Sequence, residues 1–310
     1  MKGGIVVRVG LLLTVWGAVA QPLPGHWVRK ASMPTPRTEV AVAELSGKIY
    51  VVGGFGGDGR VVEAYDPRAD RWETKAPLPT PLHHTSLVAL GGKLYVIGGY
   101  STGWQPMSAT YEYAPALDRW RSRAPMPTPR GAHASEVIEG SIFAVGGVSN
   151  DGRRNSGANE IFDPGRDRWR RARELPTPRD HLAVVVWSRR LHAVGGRLGG
   201  NYSRNLGIHE AYDPDADQWH QLPPLPTPRS GLAGALLGER MFIFGGEAPE
   251  GTFNQVESYD PRTNRWSAYA PMPTSRHGLG AAAFNGAIYV IGGGPQPGGS
   301  FSQANEAFSP

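Results

Sequence analysis

Residues 130–169 read RGAHASEVIEGSIFAVGGVSNDGRRNSGANEIFDPGRDRW, and this one stretch decides the architecture. An apolar strand near His133 to Ile138 meets a Glu139-Gly140 turn, and a second strand, Ser141 to Val145, runs into the doublet Gly146-Gly147. A polar loop follows, then Asn159 to Phe162, an Asp163-Pro164 turn and a strand carrying Trp169. Asp-Pro suits a tight turn, because proline presets φ while the aspartate bonds its own backbone. The stretch is one unit of four short strands.

The unit recurs. Doublets begin at Gly53, Gly98, Gly146, Gly195, Gly245 and Gly292, and Trp27, Trp72, Trp120, Trp169, Trp219 and Trp266 each precede one by 26 residues. Glu63, Glu112, Glu160, Glu210, Glu257 and Glu306 form a third series, so the chain is six copies of one element. First strands are built from small residues, as in Gly231 to Leu236 and Gly278 to Ala283. That fits sheets converging on an axis, where side-chain space tapers, and the later Tyr and Trp strands fill the space where sheets diverge. The predicted fold is an all-β, six-bladed propeller of four-stranded antiparallel blades, with no helix in residues 21–310. The segment at Trp27 is a lone fourth strand and the segment at Glu306 ends on a third, so the two termini should complete one blade and close the ring, removing open sheet edges.

The doublet after an apolar strand, the Glu-x-Tyr-Asp-Pro segment, the Trp nine residues beyond that Glu, and the Pro-x-Pro-Arg before the next strand together resemble kelch repeats across residues 21–310. The resemblance implies a fold more than a function, since kelch propellers include protein-interaction modules, sugar-processing enzymes and copper oxidases. The radical copper oxidases need a Cys cross-linked to a Tyr, and this chain has 0 Cys. Disulfide scaffolds, thiolate metal sites and Cys nucleophiles fall with it.

Of 310 residues, 42 are Gly and 28 Pro, and 9% are aromatic. The net charge of +5, lowered by loss of Lys2 and Arg8 if residues 1–20 are removed, is too weak for nucleic-acid binding. Those residues read as a secretory signal, with Lys2 and Arg8 before the apolar run Val9 to Val19 and an Ala18-Val19-Ala20 cleavage site. The expectation is a propeller over 21–310, periplasmic or secreted, with no membrane span after cleavage and, lacking a Cys, no lipid anchor.

Length varies almost only between second and third strands, on the face that also carries the interblade links. Function is sought there. The links set Arg37, Arg130, Arg179, Arg229 and Arg276 at one level of the ring. They form either an anion-binding mouth or a scaffold in which each pairs with a repeated Glu. Presence in nearly every blade favours the scaffold. Blade two has Leu82 in place of Arg, followed by His83 and His84, which would leave Glu112 unpartnered; these three are the candidate acid/base groups. The opposite reading has His84 at the repeat position of His133, packing only. A metal site is not expected, because the histidines are scattered over the blades without ligand spacing. No cofactor is expected.

The variable loops carry Tyr100, Trp104, Arg153, Arg154, Arg197, Tyr202 and Arg204, a surface suited to stacking on sugar rings or gripping an acidic peptide, or simply solvated loops. The leading expectation is a binding module for a protein or glycan ligand, of anionic type if the arginines are free. The alternative, implied by the resemblance, is a sugar-processing enzyme similar to the periplasmic kelch mutarotases that interconvert sialic acid anomers.

Overall fold

The computed structural model describes residues 1, 23–149 and 154–310; the expected signal segment and Arg153 lie outside the described residues. Six four-stranded antiparallel sheets are arranged as blades. Blade one comprises Ala41–Leu45, Lys48–Val52, Val62–Asp66 and Arg71–Thr74, and each later blade repeats that order. The last joins Gly280–Phe284, Ala287–Ile291 and Asn305–Ser309 to the N-terminal strand His26–Arg29, with Trp27 opposite Phe308. Apart from one 3₁₀ turn at Thr102–Trp104, the described residues contain no helix.

The repeated residues each have a mechanical task. Every one of the six Trp indoles donates to a carbonyl of the adjacent interblade link, namely those of Ala270, Ala31, Ala76, Ala124, Arg173 and Pro223, at 2.8–2.9 Å. Each indole also packs on the aromatic ring opposite it in the third strand, as Trp72 does on Tyr65 at 5.1 Å. The blades are thus pinned to one another at their outer strands. At the axis the approach is closer: a Cβ on Gly280 would meet Val42 Cγ2 at 2.2 Å. The small first strands are a steric requirement there.

The links and the second-to-third-strand connections emerge on one face, where short bridges join Thr38 to Phe55, His83 to Tyr100, Gly131 to Val148, Asp180 to Arg197, Ser230 to Glu247 and His277 to Gly294. Within this rim a backbone circlet surrounds the axis. His84, Ala132, His181, Gly231 and Gly278 donate their amides to the carbonyls of Glu39, His84, Ala132, His181 and Gly231, and Val40 closes on Gly278. All six residues from Glu39 to Gly278 in this circlet have positive φ, between 52° and 67°.

Below the circlet the axial channel widens to a cavity of about 270 Å³ lined by small and apolar residues with Glu44 and Glu136. Glu44 accepts from the Gly47 amide at 2.6 Å. Burial pushes the Glu136 carboxyl up to about 7, only partly offset by the Val137 amide. A carboxyl raised in the folded state destabilises it once pH exceeds the unfolded value near 4.3, and the penalty is complete above about 7. Glu136→Gln should therefore leave stability at pH 4 unchanged and raise it at pH 8. Because the side chain is only half-buried and faces the open bore, the gain should be about 1–3 kcal/mol. Equal melting shifts at both pH values would refute it.

Candidate functional site

The five link arginines are sealed inside the blades, each 0% exposed. Arg37, Arg130, Arg179 and Arg276 donate to Glu63, Glu160, Glu210 and Glu306 at 2.5–2.6 Å, and Arg229 donates to Glu257. The Thr of the same motif joins in: Thr35, Thr128, Thr177, Thr227 and Thr274 donate to the other carboxylate oxygen at 2.7–2.9 Å. Other guanidinium hydrogens cap strand carbonyls, as Arg179 does to Gly195 and Ala193, while the buried Nε atoms of Arg37, Arg130 and Arg276 make no hydrogen bond. Of the two readings, the anion-binding mouth is corrected in favour of the scaffold, because each guanidinium is sealed from solvent and ion-paired within its blade.

Blade two is rebuilt without its arginine. Leu82 is buried in the apolar core and Thr80 pairs with the Tyr111 hydroxyl at 2.9 Å. Glu112 is not unpartnered: Lys93 and Arg121 reach it at 2.6 and 2.8 Å, Arg123 also contacts it, and Tyr95 donates at 3.1 Å. Burial opposes ionisation of Glu112, but Arg121 and Lys93 hold it down at about 2. It is a structural carboxylate within the blade, and it lines neither of the two cavities that His84 lines. His84 occupies the repeat position of Ala132, and Thr85 that of His133, because the circlet and the strand registers align them so. The earlier placement of His84 at the His133 position was one residue off.

What converges on the axis is a different set. A cavity of about 390 Å³ opens on the loop face, walled by Phe55, Trp104, Tyr202 and Phe301 and floored by Glu39, His84, Arg197, Glu247 and His277. A smaller cavity of about 100 Å³ lies among the circlet residues beneath, and the two share Glu39 and His84. Phe55 stacks on His83 at 4.0 Å, and Trp104 packs against Phe55, His83, His84 and Tyr100 at 4.9–5.6 Å. Tyr100 is buried behind this group, and Trp104 is half exposed above it.

The polar floor is tightly wired. Arg197 donates to Glu247 Oε1 at 2.6 Å, Asp180 Oδ1 at 3.2 Å and His181 Nε2 at 2.8 Å, while His181 Nδ1 donates to Asp180 at 2.5 Å. Glu247 Oε2 accepts from the Gly298 amide at 3.0 Å, and Asp180 Oδ2 from Asn155 and Gly200. Burial would raise Asp180 and Glu247, yet both are held below the usual carboxylate range, Asp180 chiefly by His181 and Glu247 by His277 and Arg197. Burial pushes His83 down to about 4, and burial with the neighbouring His181 pushes His84 well below its ordinary value. Both imidazoles are neutral near pH 7. A consistent assignment has His83 Nδ1 donating to His84 Nδ1 at 2.7 Å and His84 Nε2 facing Glu39 Oε2 at 3.3 Å.

Of the loop residues singled out in the sequence, Arg197 is buried at this floor, with its charge committed, and its guanidinium lies 5.8 Å from the Tyr202 ring. Arg154 and Arg204 are exposed on two-stranded rim ribbons. Arg197 therefore does not share an exposed surface with Arg154 and Arg204, since its charge is consumed by Asp180 and Glu247.

Sequence reasoning missed Glu39, Asp180, His181, His277 and Phe301, and it placed Phe55 and Glu247 only as the first residues of two variable loops. A signal existed for most of them. The residue just after each glycine doublet differs in every blade, and the residue pair just after each Arg or Leu82 is never the same twice, although the residues flanking them repeat. Histidines scattered along the chain are collected by the ring, so separation in sequence was a poor argument against a metal site.

The KLHDC2/KLHL20/DRC7 Kelch-repeats domain matches residues 64–225, and the Kelch motif matches residues 36–79 and 228–273. No curated protein matches the chain. The solved structure of YjhT aligns with a TM-score of 0.78 at 17% identity, covering 88% of this chain and 95% of that one, a likeness of fold alone. With its six blades and its repeat-wide match, the chain belongs to the kelch-repeat family.

Proposed function

We propose that this kelch propeller is a secreted ligand-binding module that takes a carbohydrate in its central loop-face cavity. The observation that supports this most is the pairing of four aromatic walls, Phe55, Trp104, Tyr202 and Phe301, with a floor of fixed carboxylates and imidazoles. Aromatic faces stack on pyranose C–H surfaces, and preset acceptors fix hydroxyl groups. A cavity of about 390 Å³ suits one or two sugar rings rather than a broad protein surface. Three carboxylates, Glu39, Asp180 and Glu247, meet one guanidinium there, so hydroxyl-rich neutral sugars are favoured over anionic ones. Secretion rests on residues 1–20, and detection of the processed chain outside the cytoplasm tests it.

Titration with neutral and acidic sugars, followed by tryptophan fluorescence and NMR, is the direct test. Saturable binding of a neutral sugar is expected, and Trp104→Ala should weaken it about 5- to 30-fold, equivalent to about 1–2 kcal/mol of stacking. Binding that ignores Trp104, or a partner held only by the outer blade edges, would refute the pocket.

A second reading, sugar mutarotation, is favoured by the juxtaposition of Glu39 and His84 at the floor. There a base would take the anomeric hydroxyl proton while an acid returned one to the ring oxygen as the C–O bond opened, and reclosure would give the other anomer. Anomer exchange faster than buffer, slowed by Glu39→Gln, supports it. Exchange at the buffer rate removes it and leaves binding untouched. Sialic acid is the less favoured substrate, because Arg197 is already engaged by two carboxylates.

A further inference from the structure

Three groups from three blades meet at one point of the cavity floor in an arrangement that hydrogen bonding does not explain. His277 is 1% exposed, and its Nδ1 donates to the Gly294 carbonyl at 3.1 Å, which leaves Nε2 as the atom facing the cavity. That nitrogen lies 3.7 Å from Glu39 Oε1 and 3.6 Å from Glu247 Oε2, beyond hydrogen-bond reach of either. A neutral imidazole would aim a lone pair at two carboxylates, and a protonated one would meet them only as a charge pair at 3.6–3.7 Å, with no hydrogen bond to either. Donor atoms bound at about 2.0–2.2 Å around a tetrahedral ion sit about 3.3–3.6 Å from one another, and the two imidazole-to-carboxylate spacings here, 3.6 and 3.7 Å, need only a slight inward shift to meet that geometry.

We propose that Glu39 Oε1, Glu247 Oε2 and His277 Nε2 bind a first-row divalent transition metal, with Zn²⁺ the best match to this donor set. The three atoms lie within 4.8 Å of one another. Each ligand is oriented from behind, as metal sites require. The Gly294 carbonyl fixes the His277 tautomer, Arg197 holds the other oxygen of Glu247, and His84 Nε2 faces the other oxygen of Glu39 at 3.3 Å. Charge agrees: Glu39, Asp180 and Glu247 exceed Arg197 by two negative charges, which a divalent ion neutralises. The alternative cluster of Glu39, His84 and His181 is weaker, because His181 Nε2 already accepts from Arg197. Three protein ligands leave a fourth position open toward the cavity, the arrangement of a catalytic rather than a structural ion.

The site does not depend on the carbohydrate reading and is tested separately. Tag-free, full-length protein stripped with a chelator is titrated with Co²⁺ and then Zn²⁺. One equivalent of Co²⁺ should produce visible d–d bands that saturate at 1:1 and bleach on adding Zn²⁺. Calorimetry should give saturable 1:1 Zn²⁺ binding accompanied by proton release and reversed by chelator. Glu39→Gln, which keeps the side-chain volume, and His277→Gln should each weaken Zn²⁺ at least ~100-fold, the upper range for disturbing a metal shell, and Arg204→Ala, on an exposed rim ribbon, should leave it unchanged. Absence of 1:1 uptake by the wild-type protein, or uptake that survives both ligand substitutions, overturns the proposal.

Discussion

A chain lacking residues 21–31 should show no cooperative unfolding transition and should aggregate when expressed, while the same residues added as a peptide should restore solubility. The deletion removes the outer strand of the closing blade, leaving the backbone of Asn305–Ser309 unpaired along one edge. It also strips Trp27 from Phe308 at 5.0 Å and Phe244 at 6.0 Å, with the indole bond to Ala270. An exposed edge beside a bared aromatic cluster is a template for pairing with another chain. The milder Trp27→Ala should cost about 2–4 kcal/mol from lost burial and one hydrogen bond. A truncated protein that melts like the intact chain would show that the ring holds without its terminal strand.

Arg229→Ala should be nearly as damaging although it touches no ligand. It would leave Glu257 charged in the interior and uncap the carbonyls of Thr227, Ile243 and Gly245. Breaking a buried pair at one end costs about 3–5 kcal/mol, a fall of roughly 10 °C in Tm for a domain of this size. Arg204→Ala, exposed on a rim ribbon, should change stability by less than about 0.5 kcal/mol. A loss under about 1 kcal/mol for Arg229→Ala would mean that the pair is dispensable. Blade two shows the condition under which it can be: Leu82 joins the apolar core, and Glu112 acquires Lys93, Arg121 and Arg123 instead.

Blade number, closure and the register of Trp, Glu and glycine doublets were legible because each recurs with the geometry that demands it. The Pro-Thr-Pro-Arg motif was legible as scaffold for the same reason. The floor of the site was hard to read because its members never sit together in the chain: Glu39, His84, Glu247 and His277 are contributed by four different repeats. Arg197 attracted notice as part of a surface patch, yet its neighbours Asp180 and Glu247 draw it inward. A reading of which repeat columns refuse to repeat would have found most of this set, since a scaffold position is under the same steric demand in every blade and a ligand position is not.

The circlet of positive-φ residues gives the fold an adaptable lumen. Its amide-to-carbonyl bonds depend on backbone alone, so the identity of each member is free within the small conformational cost of that φ, about 1 kcal/mol for a non-glycine residue. Gly278 shows how the positions interlock: a Cβ there would fall 2.6 Å from Glu39 Oε1, so bareness on one blade is what gives the neighbouring carboxylate its room. Such a collar lets descendants of this scaffold exchange one recognition group at a time, like stones in a fixed setting, while the surrounding sheets keep their packing.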